Sequence, residues 1–241
     1  NITRWQSKRC KRHRRMSVLK FQKYLENPYD LHPKKNLQFN LYKGNIMEDL
    51  ETLSVYDAKI EDYMRLTNAP PSRSLIAFIK AIPKGGRVLD LGCGPGLAAA
   101  EMARQRLKVD ATDGSSKMVE AASRHPGVSA RQATFDELPE CATYDGIYAN
   151  FSLLHAKRND FIRHIAACHL ALNSRGIFHL GMKLGEGETR DHLGRFYTYY
   201  STDELVQNLK DAGFELRDQR EGKELGLAGN IEPFIMLTAH A

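Results

Sequence analysis

Residues Val88 to Ala99 read Val-Leu-Asp-Leu-Gly-Cys-Gly-Pro-Gly-Leu-Ala-Ala. An apolar, extended-preferring stretch runs into three glycines and then into helix-favouring residues, which is the order of a nucleotide-cofactor cradle. Glycines at 92, 94 and 96 let the backbone come close to a ligand and take left-handed conformations without steric cost. A dinucleotide fingerprint needs its third glycine at position 97, where this chain has Leu97. Here that glycine comes one place early, at Gly96, and an acid, Asp90, stands inside the strand before the turn. Further along, Asp113 follows the next strand at close to the roughly 20 residues expected of an acid that accepts ribose hydroxyls. Taken alone, Asp113 reads equally well as a turn or cap residue for the helix that begins at Ser116. His155, after the fourth strand, is an imidazole placed to move a proton, with packing or capping as the competing reading.

The form Asp-x-Gly-x-Gly-x-Gly resembles motif I of the class I S-adenosylmethionine-dependent methyltransferases, and the resemblance extends over residues 47 to 241. It is to the small bacterial type similar to the quinone-biosynthesis methyltransferases. The resemblance implies an α/β fold, a doubly wound Rossmann-like seven-stranded mostly parallel sheet with helices on both faces and an antiparallel last strand. It also implies S-adenosyl-L-methionine as cofactor, a molecule with an amino-acid end and a sulfonium but no pyrophosphate. On this basis Asp90, Gly92, Gly94 and Gly96 are assigned to the cofactor's amino-acid end, and Asp113 with Gly114 to its ribose. Relatives carry Gly-Asp-Ala-x-x-Leu-Pro on the adenine side; here Thr134 replaces the aspartate, so Thr134, Phe135 and Asp136 are the adenine-side candidates, with Phe135 nearly as readable as core. Asn150 is placed beside the methyl group, and His155 is the candidate catalytic base. No metal is expected.

These positions require alternating elements, and the periodicity supplies them. Strands are expected at 87–91, 108–112, 129–133, 146–150, 176–183, 214–220 and 233–239, with helices at 53–67, 72–81, 97–106, 116–124, 160–172 and 202–212. Pro70-Pro71 and Gly85-Gly86 punctuate the start. Tyr56 and Tyr63, seven apart, fall on one face of a cap helix within residues 47–82. Residues 184–200 read as a substrate-side insertion, rich in Gly, Arg and Tyr and suited to act as a lid. On helix 160–172, His164 and His169 read as structural.

Composition narrows the function classes. The 241 residues are 42% apolar, enough for one sizeable core. No apolar run approaches the roughly 18 residues of a membrane span. Cys10, Cys93, Cys141 and Cys168 show no paired spacing, so neither a disulfide framework nor a zinc site is expected, and a reducing cytoplasm fits. The net charge of +6 is unevenly placed: residues 1–46 carry +10 and residues 47–241 carry −4. The first 46 residues therefore read as a basic, solvated extension, with Met47 a plausible functional start. The expected activity is methyl transfer to a small-molecule acceptor, by a monomer or homodimer. Two alternatives stay open: an RNA-modifying methyltransferase that grips phosphates with the basic tail, and a non-catalytic adenosylmethionine-binding protein.

Overall fold

The structure, a computed structural model, describes residues 49–67 and 70–241, among them the compact unit Asp49–Ala241. The basic extension, Met47 and the side chain of Tyr63 lie outside the described residues.

Three helices lead in: α1 (Leu50–Ala58), α2 (Ile60–Thr67) and α3 (Arg73–Ala81). The single helix expected over 53–67 is interrupted at Lys59. Ser72 caps α3, its Oγ accepting the Leu75 amide at 3.1 Å, so that Leu75 and Phe78 are presented to the sheet. There follow β1 (Arg87–Leu91), α4 (Leu97–Arg104), β2 (Lys108–Asp113), α5 (Ser116–Ala122), β3 (Val128–Gln132) and β4 (Tyr144–Asn150). A one-turn 3-10 helix (Leu153–His155) precedes α6 (Arg158–Ala171), β5 (Leu172–Lys183), a hairpin of β6 (Glu188–Arg190) and β7 (Phe196–Thr198), α7 (Thr202–Asp211), β8 (Glu215–Leu225) and β9 (Ile231–His240).

The seven-stranded sheet has the order β3-β2-β1-β4-β5-β9-β8. Pairings from β3 through β5 are parallel, whereas β9 runs antiparallel to both β5 and β8. This is the expected doubly wound sheet. One face packs Leu89, Leu91, Ile147 and Phe178 against Phe161, Ile165 and Cys168 of α6 and Leu205 and Leu209 of α7. The other packs Val88, Val109 and Tyr148 against Phe78 of α3 and Met102 of α4. Burial on both faces explains why the central strands read as continuous apolar runs. Because β2 and β3 lie on one side of β1 and β4 on the other, the strand order reverses between β1 and β4, and their carboxyl ends are where open α/β sheets place a ligand crevice.

Two features were not foreseen. The insertion contains the β6–β7 hairpin, with Thr189 opposite Tyr197. In addition, β8 and β9 extend to Leu225 and Ile231, beyond the expected Arg220 and Pro233, as a ribbon whose mostly exposed polar residues hide the strand period.

The glycine turn and the loop after β4 touch at this crevice. Gly92 has φ of 72°, and a Cβ there would lie 2.2 Å from the Ser152 Cβ. Ser152 Oγ in turn donates to the Leu91 carbonyl at 2.6 Å. Gly92→Ala is therefore expected to cost about 2–4 kcal/mol, combining overpacking with left-handed strain. Adding Ser152→Gly should recover the overpacking share and leave the strain, as read by urea denaturation of the single and double variants against the wild-type chain.

Candidate active site

The first groups at the crevice are carboxylates. Asp90, next to last in β1, is 3% exposed. One of its oxygens accepts from the Ala99 amide of α4, and Oδ2 has no partner among the described residues. Burial, reinforced by the charge of Asp113 and opposed by the Ala99 bond, pushes its carboxyl up to about 7. Asp113 closes β2 and ties the turn together: Oδ2 accepts the Gly94 amide at 2.8 Å and Oδ1 accepts the Ser115 amide at 2.9 Å. Burial raises its carboxyl too, and the nearby Asp57 adds to that. The Ser115 hydroxyl donates to Asp57 of α1, which brings a third acid to the rim. Each Asp113 oxygen keeps a second lone pair for an incoming hydroxyl. An unpartnered buried carboxylate oxygen beside such an acceptor suits a ligand that carries a cationic amine and vicinal hydroxyls.

The three glycines divide their work differently from the expectation of simple ligand approach. Gly92 makes room for Ser152, and a Cβ at Gly96, whose φ is 80°, would meet the Ala122 backbone at 2.8 Å. Only Gly94 among them turns its amide to an acid of the site, Asp113. The Gly114 carbonyl accepts from Gln132 Nε2 at 2.8 Å.

On the adenine side Asp136, the candidate substitute acceptor, has protein partners on one oxygen. Its Oδ1 accepts from His164 Nε2 at 3.1 Å and is paired with Arg163, so the carboxylate is held by α6. His164, read as structural, is the residue that holds it. Phe135 is half-buried and packs edge-on to His164 at 5.5 Å. Thr134 donates its amide to Glu137 and accepts the Asp136 amide on Oγ1, closing a local turn. Asn150 Oδ1 accepts from His179 Nε2 at 3.1 Å, and a Cβ at Gly181 would stand 2.6 Å from that oxygen. Its carbonyl oxygen is thus turned along the sheet toward β5.

His155 is enclosed. Its Nδ1 lies 2.6 Å from the Phe196 carbonyl and its Nε2 lies 2.8 Å from the Tyr56 hydroxyl. A carbonyl only accepts, so Nδ1 carries the proton and Nε2 accepts from Tyr56. Burial first, then the charges of Arg195 and Lys183, hold the imidazole down to about 4, so it is neutral at pH 7. Both ring nitrogens of the candidate base His155 are engaged, by Tyr56 and the Phe196 carbonyl. Arg195, 2% exposed, forks onto Asp191 Oδ2 at 2.6 and 2.9 Å and reaches the Tyr56 hydroxyl at 3.3 Å. Lys183, 8% exposed, pairs with Glu232 and lies 4.2 Å over the Tyr197 ring. As individual site residues, Asp57, Lys183, Arg195, Tyr197 and Glu232 were not singled out. The density of Arg and Tyr in 190–200 was the available signal for two of them.

The comparisons agree with this geometry. Residues 88–176 match the methyltransferase domain family. A ubiquinone biosynthesis O-methyltransferase of Methylocella silvestris is 37% identical over 78 residues, which span 30% of each chain. The chain thus aligns with under a third of that curated relative. Among solved structures, a Burkholderia thailandensis 1,6-didemethyltoxoflavin-N1-methyltransferase, with bound 1,6-didemethyltoxoflavin and S-adenosylhomocysteine, superposes with a TM-score of 0.62 at 21% identity, over 79% of this chain and 87% of that one. The cyclase SpnF gives the same TM-score at 18% identity, over 79% and 94%. Likeness at these identities shows the fold. The match over 88–176 coincides with the Asp-x-Gly-x-Gly-x-Gly turn and with strands β1 to β4 of the sheet.

The raised carboxyl of Asp90 fixes a pH dependence. Its folded value of about 7 lies above the unfolded 3.8, so the folded chain holds this proton more tightly. Stability is full below about pH 4 as far as this group is concerned, and falls as pH rises through about 7, by at most about 4 kcal/mol. Asp90→Asn should flatten that part of the stability curve, measured by urea denaturation from pH 5 to 8 without cofactor. An unchanged slope would mean that Asp90 ionises freely in the fold.

Proposed function

We propose that the chain is an S-adenosylmethionine-dependent methyltransferase that acts on a small-molecule acceptor. The observation that carries the reading is the unpartnered, buried Asp90 oxygen next to Asp113 across a turn whose third glycine is at 96. Asp90 would receive the cofactor's ammonium and Asp113 its ribose hydroxyls, with Asp57 adding negative charge toward a cationic ligand. The bound cofactor supplies an already activated methyl group. What remains for the chain is to align the acceptor, exclude water and hold the acceptor's departing proton.

The acceptor side supports a small molecule. Tyr197 and Arg195 of the β6–β7 hairpin are 2% exposed, and Arg195 reaches the Tyr56 hydroxyl of α1 at 3.3 Å. A group to be methylated must enter this covered space, which favours a compact acceptor over a folded macromolecule. The name of the curated relative, a ubiquinone biosynthesis O-methyltransferase, points the same way.

Calorimetry with S-adenosylmethionine, S-adenosylhomocysteine and NAD tests the reading. Both sulfur nucleosides should bind and NAD should not. Asp113→Ala should weaken them at least about tenfold, as removal of a charge-assisted hydrogen-bond acceptor does. NAD binding without either sulfur nucleoside would return the turn to the dinucleotide class.

A further inference from the structure

The Tyr56 hydroxyl occupies a position with an unusual set of partners. It donates to the neutral His155 Nε2 at 2.8 Å. It accepts from Arg195 Nη1 at 3.3 Å, and from the Tyr197 hydroxyl. One proton acceptor and two donors, one of them a cation, converge on a single phenolic oxygen. Such a set complements a neutral hydroxyl: the imidazole accepts its hydrogen while Arg195 and Tyr197 donate to its oxygen, and burial, outweighing those donors, raises the phenol and keeps it protonated. The aromatic side of Tyr56 is complemented as well, with His155 edge-on at 5.4 Å and the Arg195 guanidinium 5.5 Å over the ring.

The element that delivers Tyr56 is held in a way that lets it leave. The buried residue of α1 is Thr52, and Leu50 is 71% exposed. Leu53, Val55 and Tyr56 are half-buried, and the helix's further attachments are polar: Asp49 takes both terminal nitrogens of Arg190 at 2.8 and 2.9 Å, Thr52 Oγ1 accepts the Phe196 amide at 2.8 Å, and Asp57 accepts from Ser115. Bonds of this kind exchange with water at little net cost, whereas a helix pinned by core side chains could not.

We propose that Tyr56 is a placeholder. Its phenol sits where the hydroxyl of the methyl acceptor binds, so the acceptor is a phenol or enol, and α1 lifts to admit it. His155, Arg195 and Tyr197 are then the residues that select a hydroxyl; Asp191 positions Arg195, and the Phe196 carbonyl fixes the His155 tautomer. The acceptor's role rests on the methyl-transfer reading, but the binding constellation can be tested without turnover.

Tyr56→Ala in the full chain opens a phenol-shaped space. Its melting temperature should fall, and millimolar phenol, catechol or 4-hydroxybenzoate should raise it again while benzene and anisole do not. In the wild-type chain, the same phenols with S-adenosylhomocysteine should increase hydrogen exchange of residues 50–58. Tyr56→Phe, which removes the competing hydroxyl, should bind them about tenfold more tightly. The inference is overturned if no phenol shifts Tyr56→Ala beyond the benzene control, if exchange of 50–58 is unchanged, or if Tyr56→Phe binds phenols more weakly. Failure of the methyl-transfer reading is distinguishable, because it appears in cofactor calorimetry and leaves the phenol shift of Tyr56→Ala untouched.

Discussion

Two carboxylates buried at the carboxyl ends of adjacent parallel strands are the constraint around which the site is arranged. Asp90 and Asp113 sit where the strand order reverses, and Asp113 raises the cost of ionising Asp90 by adding like charge to a dry position. A fold optimised for stability alone would place apolar residues there. The turn from Gly92 to Gly96 offsets the cost for Asp113 by aiming the Gly94 amide at it, and Ser115 supplies a second amide. Among the described residues nothing comparable is supplied to Asp90 Oδ2. The chain thus carries a local deficit of positive charge that a cationic ligand relieves, which is how a site gains selectivity from a stability defect.

The acceptor side follows the opposite logic. Arg195 and Lys183 are buried cations, but Asp191 and Glu232 pair with them, and His155 has a partner on each nitrogen. A network so fully satisfied is worth more than isolated bonds. It also joins pieces far apart in the chain: α1 contributes Tyr56, the segment after β4 contributes His155, and the β6–β7 hairpin contributes the Phe196 carbonyl and Arg195. The hairpin and α1 close over the crevice as one layer, because Asp49, Glu51 and Thr52 are bound to Arg190 and Phe196.

This difference explains what could be read from the residues. The cofactor half is local. Asp90, Gly92, Gly94 and Gly96 lie within one strand and one turn, and apolar runs on both faces of the sheet fix where Asp113 emerges; the β1 bounds, Arg87–Leu91, were read as they stand. The acceptor half is assembled by tertiary contacts that leave no period in the sequence. His155 could be singled out as an imidazole at a strand end, but its tautomer and its capping by Tyr56 depend on α1, whose sparse burial gives no amphipathic signal. The partners of Asp136 were hidden for a related reason: Arg163 and His164 lie on α6, and nothing in the local run Ala133–Pro139 shows that α6 passes within reach.

The glycine turn itself acquires a second meaning. Had all three glycines served ligand approach, each position would face open space. Instead Gly92 is filled to contact by Ser152 and Gly96 by Ala122, so two of the three let β1 and α4 approach the segment after β4 and helix α5. Ligand geometry and packing therefore make the same demand on the same residues. A side chain at Gly92 would push Ser152, and with it the 3-10 turn that carries His155, away from β1. The turn thus sets both the spacing of the carboxylates and the distance from the cofactor side to the imidazole, so the two halves of the site cannot be displaced independently.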